Sequence, residues 1–133
     1  MILLDTHILV WWVSGAQPLT SAMRKAIDAQ LDGGRILVSS ISAWEIAMLV
    51  AHGRIGLSMD VDRWLATVEQ IEAVRFIPVD NEIGVKSCQL PGEFHKDPAD
   101  RIIVATARQF AAPLLTADER ILAYPHVQTI CSG

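Results

Sequence analysis

Apolar residues along this chain fall into two rhythms. Short unbroken runs, Ile2-Leu3-Leu4, Ile36-Leu37-Val38, Phe76-Ile77-Pro78-Val79 and Pro113-Leu114-Leu115-Thr116, are too brief for helices and show no alternation. Each reads as a strand buried on both faces. Pro78 gives the third an edge character, because proline cannot donate to a sheet ladder. A fifth strand is predicted over residues 127–130. Helical segments lie between the runs. Residues 6–13 form the first, and Pro18-Leu19-Thr20-Ser21 opens a second whose body is 23–31, closed by Gly33-Gly34. A helix over 43–51 takes Ser40 or Ser42 as its cap, and one over 61–71 is opened by Asp60 or Asp62. Asp80 caps a helix that runs to about 89, ended by Pro91-Gly92. In Asp97-Pro98-Ala99-Asp100, Asp97 fits the N-cap, Pro98 the first turn and Asp100 the third position of a helix that reaches about 110. Asp118 precedes a short helix near Ile121. Strands alternating with helices predict an α/β fold built on a parallel sheet with both faces covered.

Composition narrows the class. The chain has 133 residues, 51% hydrophobic and 20% charged, which suits one globular domain over 1–133 and excludes disorder. Residues 6–23 lack Asp, Glu, Lys and Arg, but Ser14-Gly15-Ala16-Gln17-Pro18 interrupts them, so no membrane span is expected. Asp5 stands early and no basic segment precedes it, which argues against a signal peptide. Cys88 and Cys131 are the only cysteines and form no CxxC, so reduced thiols and a cytoplasmic setting are expected. The net charge of −4 gives no general nucleic-acid footprint. It leaves room for an enzyme whose acids hold metal.

The positions of the acids carry more than their number. Asp5 ends the first strand, and Asp118 lies just beyond the fourth. In open parallel sheets, ligands bind outside the carboxyl ends of strands. Glu45 is the only charged residue between Ile41 and Ala51, with no Lys or Arg at helical reach. A carboxylate there needs a donor or cation from elsewhere in the fold. Asp100 begins another mostly apolar helix. Such acids meeting at one edge would repel, and either protonation or a hard divalent cation would relieve them. Oxygen ligands without a Cys/His cluster point to Mg²⁺ or Mn²⁺ rather than zinc. Each acid also has a plainer reading: Asp5 as a turn residue, Asp97 as a cap, Asp100 as a first-turn charge on the helix dipole, Asp118 as a helix opener.

Four segments in series are familiar. Ile2-Leu3-Leu4-Asp5-Thr6, Ser42-Ala43-Trp44-Glu45-Ile46, His95-Lys96-Asp97-Pro98-Ala99-Asp100-Arg101 and Leu115-Thr116-Ala117-Asp118 resemble the PIN domain family, in particular its VapC toxin branch. The resemblance covers the whole chain. It implies a parallel sheet of about five strands in the order 3-2-1-4-5, flanked by helices. It implies an endoribonuclease dependent on Mg²⁺ or Mn²⁺, leaving 5′-phosphate and 3′-hydroxyl ends. The acidic quartet of the family matches Asp5, Glu45, Asp100 and Asp118, which would be both catalytic residues and metal ligands. Asp97 matches a possible outer ligand, and Thr6 and Thr116 match hydrogen-bonding supports. The implied partners are a small antitoxin whose tail blocks the site, an RNA substrate and a second copy of the toxin.

Other details stay open at this level. His95, Lys96 and Arg101 flank Asp100 and could meet phosphates, with a salt bridge to a neighbouring acid as the alternative for Arg101. The four histidines read as structural or surface residues. Trp11, Trp12, Trp44 and Trp64 fit core or antitoxin groove better than base stacking. Two other functions compete. A receiver or haloacid-dehalogenase domain also places Asp after its first strand, but Asp5-Thr6-His7 lacks the second acid of the latter, and no Lys follows Lys96 for the former. A catalytically silent PIN-like binding module is the non-enzymatic alternative.

Overall fold

The computed structural model describes residues 1–130. Five strands, β1 (Ile2–Leu4), β2 (Ile36–Ser39), β3 (Val74–Ile77), β4 (Leu114–Leu115) and β5 (Thr129–Ile130), form one sheet. Every pairing is parallel, and the order is β3-β2-β1-β4-β5, as the resemblance implies. Leu3 pairs with Leu37 on one side and Leu114 on the other, so β1 is the central strand.

Seven helices connect them: α1 (Thr6–Ser14), α2 (Ser21–Leu31), α3 (Ser40–Ala51), α4 (Val61–Glu69), α5 (Asn81–Cys88), α6 (Pro98–Phe110) and α7 (Glu119–Leu122). The unbroken apolar runs are explained by two cores. Ile2, Leu4, Ile36 and Val38 face one way and pack with Ile8, Met23, Ile46 and Trp64. Leu3, Leu37 and Leu114 face the other way and pack with Ile103, Val104 and Ile121. Successive strand residues point to opposite faces, and both faces are covered, so alternation has no use here. Among the described residues no helix is long and apolar enough to cross a membrane.

The chain runs outward from β1 to β2 and β3, then returns across the sheet to β4. The reversal opens a crevice at the carboxyl ends of β1 and β4, where ligands bind in folds of this kind. Several boundaries differ from expectation. The third strand is Val74–Ile77 rather than 76–79, because Pro78 has no N–H for the ladder that β2 completes from Ile36 to Ser39. β4 and β5 are shorter than 113–116 and 127–130. α3 is capped by Ser39, whose side chain accepts from Ile41 N, and not by Ser40 or Ser42. Strand and helix meet there without a loop, so the cap is the last strand residue. Cys88 is an exposed free thiol, and Cys131 lies outside the described residues.

Candidate active site

Asp5 follows β1 directly and caps α1, its Oδ1 accepting from Thr6 N at 2.8 Å. Its Oδ2 accepts from Thr116 Oγ1 at 2.6 Å. Thr116 stands just past β4, and its oxygen in turn accepts from Asp118 N at 3.0 Å. One hydroxyl thus ties the β1 turn to the β4 turn. On the other side, Thr6 Oγ1 donates to Glu45 Oε1 at 2.5 Å. That spends its only proton, so the 2.8 Å contact with Ser42 Oγ has Ser42 as donor. The donor that the apolar run around Glu45 demanded is therefore Thr6.

α6 supplies the remaining wall. Asp97 caps it, Pro98 begins it, and Asp97 Oδ1 accepts from Asp100 N at 3.0 Å. Asp100 is 9% exposed and Asp5 8%. Asp5, Glu45, Asp97, Asp100 and Asp118 line one cavity of about 390 Å³. The four acids of the quartet come from four different places in the sequence and share this opening. Among the described residues, no three of them close into a finished ligand set. The convergence is that of an open, acid-lined cleft.

Electrostatics differ across the cleft. Burial pushes Asp5 upward against the hydrogen bonds from Thr116 and Thr6. Burial also raises Glu45, opposed by the Thr6 bond. Asp100 is pushed up to about 7, first by burial and then by the charges of Asp5, Asp97, Asp118 and Glu45. Burial acts upward on Asp118 too, but the Arg120 contacts outweigh it and hold that carboxyl below its ordinary value.

Arg120 is the residue that sequence reasoning missed. It lines the same cavity, with Nη2 3.2 Å from Asp118 Oδ2 and 3.7 Å from Asp100 Oδ2. The available signal was an Arg two residues after a capping Asp at a helix start. Arg101 is a correction in the opposite direction. Among the described residues it is in no ion pair, and it does not line the acidic cavity. Its guanidinium donates to the carbonyls of Ser87, Phe94 and His95 at 2.9, 3.1 and 3.2 Å, pinning the end of α5 and the loop before α6. His95 Nε2 lies 3.1 Å from Asp100 Oδ2, off the line of a hydrogen bond. Its Nδ1 accepts from Asp97 N, so the neutral ring carries its proton on Nε2, toward Asp100. Burial, and next the charge of Arg120, lower His95 from its ordinary value. Trp64 is in the core, and Trp11 and Trp12 pack half-buried against it. Trp44 is not in the core: it is 57% exposed, on a groove of about 330 Å³ beside Glu45 and Asp97.

Comparison with known proteins decides the family. The PIN domain family model matches residues 2–127. The chain belongs to the PIN domain family. Within it, the chain is 33% identical over 129 residues to Ribonuclease VapC22 of Mycobacterium tuberculosis, covering 97% of this chain and 95% of that protein, which places it on the VapC branch. Solved structures repeat the PIN fold at lower identity. A toxin–antitoxin complex from Klebsiella pneumoniae aligns at 21% identity and TM-score 0.68, over 100% of this chain and 98% of that one. DNA-bound VapBC from Salmonella typhimurium aligns at 20% identity and TM-score 0.69, over the whole of both chains. A PIN domain across residues 2–127 leaves no place for the receiver and dehalogenase readings.

Proposed function

We propose that this PIN domain is a divalent-metal-dependent endoribonuclease and the toxin of a toxin–antitoxin pair. The observation that carries the proposal is the shared cavity of Asp5, Glu45, Asp100 and Asp118 at the carboxyl ends of β1 and β4. The relatedness to Ribonuclease VapC22 supports the same reading.

The donor set fits Mg²⁺ or Mn²⁺. It is all oxygen, it is open enough to leave room for water ligands, and three of its four carboxyls are raised by burial and mutual charge. Asp5, Glu45, Asp100 and Asp118 would hold the ion, with Asp97 outside them. When bound, the metal supplies an acidified, oriented water and stabilises charge on the phosphodiester. The chain's own residues do the positioning. Thr116 and Thr6 N hold both oxygens of Asp5, and Thr6 Oγ1 holds one oxygen of Glu45, so neither acid can turn away from the cleft. Arg120 supplies the cation at the cavity that can meet a phosphate oxygen. The acidic surface gives RNA little general attraction, so substrate choice rests on local shape and unpaired bases.

The partners we propose are a small antitoxin, supported by the toxin–antitoxin complexes that share the fold, and a second copy of the chain. A cytoplasmic setting accords with the free Cys88. The test is end-labelled structured RNA incubated with purified protein in Mg²⁺ or Mn²⁺, then in chelator, beside Asp5→Asn. Discrete cuts that need both metal and Asp5 are expected. Intact RNA together with no metal binding would reverse the proposal in favour of a silent PIN-like binding module.

A further inference from the structure

Arg120 engages both oxygens of Asp118. Oδ1 accepts from the backbone N of Arg120 at 2.8 Å and from its Nε at 3.4 Å, and Oδ2 accepts from its Nη2 at 3.2 Å. The same Nη2 reaches toward Asp100 Oδ2 at 3.7 Å. One guanidinium therefore forks onto Asp118 through Nε and Nη2, the geometry that suits arginine, and the same Nη2 also faces Asp100, a second acid of the cleft. The Arg120 side chain is 62% exposed. A buried pair of this kind would be costly to break, whereas an exposed one is held loosely. Asp5 and Glu45 are held by hydroxyls and a backbone amide instead, and no cation touches them among the described residues.

We infer that Arg120 is a built-in counter-ion that competes with the metal for Asp118 and Asp100 and is displaced when the metal binds. A cation taking those carboxylates must first move the guanidinium. Displaced, it remains on the short helix after Asp118, next to where a phosphate would lie. Metal affinity is then set partly by this one arginine, and the acid pair is never left without a positive neighbour. The inference rests on the metal-dependent reading above.

The experiment is a calorimetric titration of Mn²⁺ into the full chain, Arg120→Gln and Lys96→Gln. Lys96, in the loop before Asp97, is in no ion pair among the described residues, so its variant removes one charge without freeing an acid. Arg120→Gln is expected to bind Mn²⁺ at least about fivefold tighter, and Lys96→Gln to change less than about twofold. In the unaltered protein, the Arg120 Nε–H resonance is expected to shift and to exchange faster when Mg²⁺ is added. That readout does not depend on any variant folding. Mn²⁺ binding that is equal or weaker in Arg120→Gln would overturn the inference and leave the nuclease reading standing. Equal tightening in both variants, with the Arg120 resonance unmoved, would also overturn it, as a general charge effect. No Mn²⁺ binding in any of the three would overturn both.

Discussion

The turn after β1 and the turn after β4 are built alike. Each ends a strand of the central pair, and each places an aspartate that caps the next helix, Asp5 for α1 and Asp118 for α7. Their charges are handled in opposite ways. Asp5 is buried, and hydrogen bonds from Thr116 and Thr6 N hold its two oxygens, with burial raising its carboxyl. Asp118 faces Arg120, which holds its carboxyl down. The same residue at the same station is thus a strained charge in one turn and a satisfied one in the other. Backbone position delivers the acid to the cleft, and the neighbours decide what ionising it costs.

The largest expected effect is on cleavage. Asp5→Asn should lower the rate on the order of a hundredfold or more, since even supporting contacts at metal sites are worth 10–100-fold. It should do so with the fold intact, because the core beneath is apolar and separate. In chelator its melting temperature should rise, because relief of the charged form that burial disfavours exceeds the one hydrogen bond that the new NH2 cannot accept. A lower melting temperature would mean that Asp5 is satisfied in its turn and that the contrast with Asp118 is false.

Thr116 joins the two turns and offers the next cut. Thr116→Val keeps the shape and removes the hydroxyl that serves Asp5 Oδ2 and Asp118 N. A buried acceptor is left unpaired, so urea denaturation should show a loss of about 1–3 kcal/mol. An unchanged midpoint would show that the turns are independent.

Asp100 adds a pH dependence of unusual sign. Its carboxyl titrates at about 7 in the fold against an ordinary 3.8. Between those values the folded chain keeps a proton that the unfolded chain has released, so stability falls as pH rises through the window. Below it, both states are protonated and the cost vanishes. In chelator, Asp100→Asn should remove about 1–2 kcal/mol of that fall, less than the full shift implies because solvent reaches the carboxyl. A variant with the same slope as the parent would place the repulsion elsewhere.

Much of this was written in the chain. The apolar run closed by Asp5 showed where the first strand stops, the run taken through Thr116 overshot β4 by one residue at each end, and the apolar surround of Glu45 called for a donor from a distant segment. That Thr6 is this donor could not be seen, because 39 positions separate the two residues. Ser42 looked like a cap in sequence and is instead a buried donor to Thr6. Arg101 misled for a different reason. It neighbours Asp100 in sequence, but adjacent residues on a helix point about 100° apart, so it faces carbonyls of the end of α5 and of the preceding loop. Arg120 hid in a four-residue helix with no periodicity to read. Strand order came from resemblance to a family, because apolar runs carry no information about which strands are neighbours.

The smallest effect is the most discriminating. Asp118→Asn loses the ion pair with Arg120 but keeps an oxygen to accept from Arg120 N. The pair is exposed on the Arg120 side, so the melting temperature in chelator should fall by no more than about two degrees. The sign matters more than the size. Asp5→Asn and Asp118→Asn remove one negative charge each, from one cavity, at matching stations in the fold. If total charge governed the cleft, both would stabilise it. Opposite signs require that each carboxylate answers to its own partners, the hydroxyl of Thr116 for one and the guanidinium of Arg120 for the other.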